Sequence, residues 1–134
     1  MQDQLYQCHC STEGCYCATI KQAEHKITAL YNRYLEKAGI TRGQYALLIN
    51  IRNHPGISVS GLADQMNLER TTLVRNLKPL ECRGLIRDTA QRGRSRSLEV
   101  TEEGEHILSV AISLWQQAQQ EFERQVGKPH AQQL

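Results

Sequence analysis

The stretch Leu68–Ile86, LERTTLVRNLKPLECRGLI, decides the fold. Leu73, Leu77 and Leu80 recur at helical steps and form one apolar stripe. Thr71, Arg75 and Lys78 fall on nearly one face away from that stripe, with Thr72 and Asn76 beside them and Arg70 at the start. Glu69 opens the helix as a poor N-cap, and Gly84 closes it just beyond Arg83. Pro79 lies inside and removes a backbone donor, so a kink or early fraying is expected there. A helix with one apolar and one polar, basic face suits the DNA major groove. Arginine can pair bidentately with guanine, and threonine methyls can touch thymine methyls. A solvated surface helix has the same pattern, so the flanking elements must discriminate.

Downstream, Leu85–Thr89 reads as a short strand, Gln91–Arg96 as a basic loop containing glycine, and Ser97–Thr101 as a returning strand. Together they make a hairpin. Thr101 then caps the longest helix, whose early acids Glu102 and Glu103 suit the helix dipole. Its apolar face carries Leu108, Ala111, Ile112, Trp115, Ala118, Phe122 and Val126, and Gly127 and Pro129 end it, leaving a frayed tail. Upstream, Ser58 caps a short helix carrying Leu62, Ala63 and Met66, followed by a tight turn at Asn67. Thr41-Arg42-Gly43-Gln44 is a capping box for a helix through Ile51. Before it, Ile20, Ala23, Ile27, Leu30, Tyr31, Tyr34 and Leu35 mark a first long helix stopped by Gly39.

This order gives a mainly α fold, a winged helix-turn-helix with a two-stranded β wing and long N- and C-terminal helices. The expected organisation is a mobile cysteine-containing arm over residues 1–16 and a single domain over 17–134. The winged helix-turn-helix spans about 41–101, between helices at about 17–38 and 102–126. The first and last helices carry more apolar face than one small winged core can bury. Trp115, Ala118, Phe122 and Val126 are therefore candidates for a homodimer seam, with intrachain core as the alternative.

Composition agrees. The 134 residues carry a formal net charge of +2. Between Glu69 and Val100, eight bases face four acids, a local +4 that leaves −2 for the rest. That patch suggests a polyanionic partner. No apolar run reaches the roughly 18 residues of a membrane span, and the start lacks a secretory pattern, so a cytoplasmic protein with no membrane partner is expected. No C-x-x-C in a βαβ context, Ser-His-Asp spacing, glycine-rich phosphate loop or carboxylate pair stands out. A thiol oxidoreductase, or any enzyme, is therefore disfavoured. A winged helix serving only protein contacts would not need the basic face. Neutralising Arg75 and Arg94 separates that class from a DNA binder.

The run Leu68–Glu81 followed by Gly84-Leu85-Ile86, with Thr101-Glu102-Glu103-Gly104, resembles the recognition helix, wing and fifth-helix start of MarR-type transcriptional regulators. The resemblance spans about Cys17 to Val126. It implies a homodimeric repressor on a palindromic double-stranded site, with two recognition helices in successive major grooves and wing arginines in the minor groove. The matching positions are Arg70, Thr71, Thr72, Arg75, Asn76 and Lys78 on the helix and Arg92, Arg94 and Arg96 in the wing. The family often has Asp two residues before a wing Arg. Here Arg92 stands in that place ahead of Arg94, so the usual Asp–Arg brace is expected to be missing.

Cysteine is clustered, with Cys8, Cys10, Cys15 and Cys17 within ten residues and Cys82 alone. Cys17, Thr28, Leu30, Tyr31, Leu35, Gly39, Thr41, Gln44 and Tyr45 are spaced as in the organic-hydroperoxide-sensing branch of MarR-type proteins. The resemblance makes Cys17 the sensing thiol and Tyr31 one of its two tyrosine contacts; Lys21 stands at the other position. A helix N-terminus favours the thiolate, and Cys8, Cys10 and Cys15 could resolve its sulfenic acid as a disulfide. The alternative for Cys17 is a small buried hydrophobe. Two C-x-C units could instead hold Zn or Cu(I) through Cys8, Cys10, Cys15 and Cys17. Tyr31, Tyr34, Tyr45 and His25 could line a pocket for a small-molecule effector, with core or interface packing as the alternative, and Cys82 reads as structural.

Overall fold

The computed structural model describes residues 14–90 and 95–134. Six helices and one hairpin follow in the order α1 (Tyr16–Leu35), α2 (Arg42–Asn53), α3 (Val59–Met66), α4 (Arg70–Cys82), β1 (Ile86–Asp88), β2 (Leu98–Val100), α5 (Glu102–Val126) and α6 (Lys128–Gln132). A 3-10 turn over Glu36–Ala38 tightens the end of α1, and Gly39 leaves it in the left-handed region at φ 76°.

Each junction is set by local chemistry. The Thr41 hydroxyl accepts from the Gln44 amide at 3.2 Å while the Gln44 side chain accepts from Thr41 N–H at 3.0 Å, a complete capping box. Ser58 caps α3 through the Gly61 N–H at 3.0 Å. Asn67 closes α3 at φ 53°, a conformation asparagine tolerates, and so permits the tight turn into α4. Glu69 stands at the α4 N-cap without a side-chain cap bond.

Two sequence expectations need correction. Of the kink or early fraying expected at Pro79, the fraying does not occur: α4 continues to Cys82, and Arg83 N–H bonds back to the Pro79 carbonyl at 3.1 Å. Proline removes one hydrogen bond, whereas Leu77 and Leu80 on either side are fully buried and hold the helix to the core. The C-terminal tail is not simply frayed. Gly127 at φ 82° breaks α5, and Pro129 then sits in the first turn of α6, where its missing donor costs nothing.

The core is one cluster of leucines, isoleucines, alanines, Val59 and two tyrosines. Leu35, Leu48, Ile51, Leu62, Leu73, Leu77, Leu80, Leu85, Leu98 and Leu108 are its largest fully buried side chains. The strands pair antiparallel in the register Ile86–Val100, Arg87–Glu99, Asp88–Leu98. On its other edge β2 bonds the α2–α3 connection, through Leu98 N–H to Ile57 O at 3.0 Å and Gly56 N–H to Leu98 O at 3.0 Å. The wing base is thereby tied to the body along the outer edge of β2. Helix α5 begins against β1: Thr101 N–H bonds the Leu85 carbonyl at 3.0 Å, and Gly104 is buried beneath it.

The N-terminal half of α1 projects from this core, with Tyr16 84% and Ile20 67% exposed. Among the described residues no helix is long and apolar enough to cross a membrane.

Candidate nucleic-acid interface

Burial divides α4 along its length. Leu73, Leu77 and Leu80 have no exposed surface, whereas Arg70, Thr71, Arg75, Asn76 and Lys78 are all exposed. Thr72 is half-buried, on the shoulder between the two faces. The Asn67 turn and the leucine stripe therefore present the whole basic face as one surface.

Charge pairing sharpens that surface. Three of the four acids in the local patch are consumed within the chain. Glu99 pairs with Arg87 at 3.4 Å, and Glu81 and Asp88 both pair with Arg96, the latter at 3.0 Å through Nε. Arg83 donates to the Gly39 carbonyl at 2.8 Å and so staples the end of α4 to the end of α1. Arg70, Arg75 and Lys78 make no ion pair with any described residue. Among the described residues, the basic side chains of α4 that lack an ion pair are thus exposed where bases and phosphates can reach them. Arg92 and Arg94 lie outside the described residues.

Arg96 differs from the sequence expectation in its engagement. It faces two carboxylates of its own chain and closes the base of the wing. An Asp–Arg brace thus exists after all, built from Asp88 and Arg96 instead of positions 92 and 94. Cross-strand proximity created it: the pairing of Asp88 with Leu98 brings residues eight apart in sequence side by side.

The comparisons with known proteins agree with this geometry. A model of the MarR family matches residues 40–92, the segment from the start of α2 into the wing. The transcriptional regulator HosA of Escherichia coli O157:H7 is 32% identical over 109 residues, 75% of this chain and 80% of that protein. This chain belongs to the MarR family of transcriptional regulators. The organic hydroperoxide resistance transcriptional regulator of Bacillus subtilis is 28% identical to this MarR chain over 79% of its length and 74% of the relative's. The crystal structure of the M. tuberculosis transcriptional regulator MosR superposes with a TM-score of 0.78 at 32% identity, covering 92% of this chain and 91% of that one. MosR in complex with DNA superposes with the same score. These relatives are regulators of transcription, not enzymes.

The expected sensing residues are placed as follows. Cys15 is the N-cap of α1, Cys17 lies in its first turn, and both are exposed. The buried-hydrophobe alternative for Cys17 therefore does not describe this chain. No acidic residue stands in that first turn. Cys8 and Cys10 lie outside the described residues. Tyr31 is buried, fourteen residues from Cys17 along α1, a separation of about 21 Å at 1.5 Å per residue. The two cannot meet within one protomer. Among the described residues no three His, Cys, Asp or Glu side chains converge as metal ligands. Cys15 and Cys17 alone fall short of the four ligands of a structural zinc site. Cys82 is exposed, not packed in the core.

The aromatic residues split. Tyr31 and Tyr45 do line a cavity of about 630 Å³, together with Ile27, Arg42 and Trp115; Tyr34 and His25 do not. Tyr45 stacks on Trp115 with ring centroids 5.9 Å apart. Burial pushes the Tyr31 hydroxyl above the ordinary tyrosine range, with Glu123 adding to the shift and Arg42 opposing it. Burial raises Tyr45 likewise, against the pull of Arg52. Of the four seam candidates, Ala118 is fully buried in the chain's own core and Trp115 is half-buried against Tyr45. Phe122 is half-buried and Val126 is 38% exposed, so these two retain surface on α5. Sequence periodicity missed Arg42 at the cavity and Glu81 and Asp88 at the wing, because all three acquire neighbours only from distant elements.

Proposed function

We propose that this MarR regulator is a homodimeric repressor that places α4 in the major groove of a palindromic operator and is released when its N-terminal cysteines are oxidised. The observation that carries the DNA reading is the face of Arg70, Arg75 and Lys78, exposed and free of ion pairs with described residues. Exposed Ile20 on α1, and Phe122 and Val126 on α5, supply the apolar surface that a second copy would cover.

The release step rests on Cys17. A thiolate at this helix N-terminus attacks the terminal oxygen of an organic hydroperoxide; the S–O bond forms, the O–O bond breaks and the alcohol leaves after taking up a proton. A second thiol, from Cys15, Cys8 or Cys10, then displaces the sulfenic oxygen as water and closes a disulfide. Tyr31 can act on Cys17 only from the partner protomer. A second reading is supported by the cavity at Tyr31, Tyr45 and Trp115. It lies along the same stripe of α1 as Cys17 and suits a small, mainly apolar effector. Zn or Cu(I) held by the four N-terminal cysteines remains a third input.

The test is fluorescence anisotropy with duplexes tiling the DNA upstream of the protein's own coding sequence. Reduced protein is expected to bind one of them specifically, and Arg75→Ala to weaken binding about tenfold or more. Hydroperoxide should release the DNA, and Cys17→Ser should abolish that response. Release by chelator alone would transfer the proposal to the metal. Tight binding under both treatments would leave the cavity as the effector site. Absence of specific binding by reduced protein would refute the DNA reading.

A further inference from the structure

Arg96 stands where side chains from three parts of the chain converge. Its Nε donates to Asp88 Oδ2 at 3.0 Å, and its terminal nitrogen pairs with Glu81 near the end of α4. The other Asp88 oxygen, Oδ1, accepts from Ala90 N–H at 2.9 Å and Ser97 N–H at 3.0 Å. Thr89 N–H bonds the Ser97 carbonyl at 2.8 Å, and the Ser97 hydroxyl donates to Gly56 O at 3.4 Å. The three charged side chains are each about a third exposed, at 34% for Arg96 and Asp88 and 33% for Glu81. The cluster therefore joins the C-terminal turn of the recognition helix to the residues on both sides of positions 91–94.

We propose that Glu81, Asp88 and Arg96 form a clasp that fixes the wing against the recognition helix. All three are then positioning residues for DNA binding, and Arg96 acts through them rather than on phosphate. The inference rests on the DNA reading above and deepens it. Its physical signature is a reversal of sign. On the DNA reading, Glu81 in α4 and Asp88 in β1 are acids near a polyanion, so by charge alone neutralising either one tightens DNA binding. As clasp residues they hold the wing in register, and neutralising either one weakens binding, because the freed wing must be ordered on the DNA.

The experiment compares the full-length reduced protein with Glu81→Gln, Asp88→Asn, Arg96→Gln and the double variant Glu81→Gln/Arg96→Gln on the operator duplex. Asp88→Asn keeps a carbonyl oxygen for the Ala90 and Ser97 amides, so it removes charge while leaving the turn intact. Each acid variant is expected to bind about three- to tenfold more weakly, the scale of one or two partly exposed ion pairs. The double variant should lose no more than Arg96→Gln alone, because the two substitutions remove the same contact. Amide exchange at Ala90 and Ser97 should accelerate while the melting temperature stays nearly constant, a pairing that a general loss of stability does not produce. Arg96→Lys, which can keep one pair, should fall between.

Equal or tighter binding by Glu81→Gln and Asp88→Asn would overturn the clasp. So would additive losses in the double variant, which would mark Arg96 as an independent phosphate contact. A parent protein that bound no duplex would refute the DNA reading itself, an outcome visible before any variant is compared.

Discussion

Gly104→Ala sets two effects of opposite sign against each other. In an unconstrained helix interior, alanine in place of glycine stabilises by about 1 kcal/mol. At Gly104 a Cβ would lie 2.6 Å from Val100 Cγ1 and closer still to the carbonyl oxygen of Leu85. That oxygen cannot withdraw freely, because it accepts the Thr101 N–H at 3.0 Å and Leu85 is only 1% exposed. Forcing a methyl against fixed backbone costs typically 1–3 kcal/mol or more, and an immobile contact places this site toward the upper end. The expected net loss is therefore about 1–2 kcal/mol, a fall in melting temperature of roughly 4–8 °C for a chain of this size. The assay is reversible thermal or urea unfolding at one fixed protein concentration, since coupling to dimerisation would make stability concentration-dependent. Gly43→Ala is the control: its Cβ would meet only Thr41 Oγ1, at 3.9 Å, so this variant should be neutral or slightly stabilised. A rise in stability for Gly104→Ala matching the control would refute the close approach of α5 to the start of the wing.

Thr101→Ala should cost about 1–2 kcal/mol in the same unfolding assay. It removes the α5 cap to Gly104 N–H, at 3.1 Å, and the hydroxyl bond to the Gly84 carbonyl, at 2.6 Å. Stability should also decline as pH rises above about 10, because Tyr31 and Tyr45 titrate later in the folded chain than at their ordinary value of 10.0. In that window the unfolded state has already released protons that the folded state retains, so raising pH favours unfolding. Tyr31→Phe and Tyr45→Phe should each flatten the decline, and an unchanged pH profile in the double variant would remove these residues as its cause.

Much of the fold was legible from local chemistry. The Thr41 box, the Ser58 cap, the Asn67 turn and the leucines of α4 each act within one or two helical turns, so their consequences could be read from spacing. Early fraying at Pro79 did not follow because the burial of Leu77 and Leu80, which only packing reveals, offsets the local penalty. The end of α5 was visible at Gly127, whereas α6 beyond it was not. The seam candidates show the same limit. Apolar periodicity marks a face of α5, but it cannot separate Ala118, covered by the chain itself, from Val126, which is not.

By itself, then, the sequence determined the order of elements, the two-faced recognition helix and the family resemblance, because these depend on caps, turns and periods of a few residues. The tertiary structure decided which charges are free. Eight bases and four acids over Glu69–Val100 read as a diffuse positive patch. Folding pairs Arg87 across the hairpin, gathers Glu81, Asp88 and Arg96 at the wing base, and leaves Arg70, Arg75 and Lys78 unpaired with any described residue. The same holds for Cys17 and Tyr31, which look like one sensor in sequence but stand about 21 Å apart on a single helix. Side-chain charge and reactivity act through space, over distances that only the fold sets.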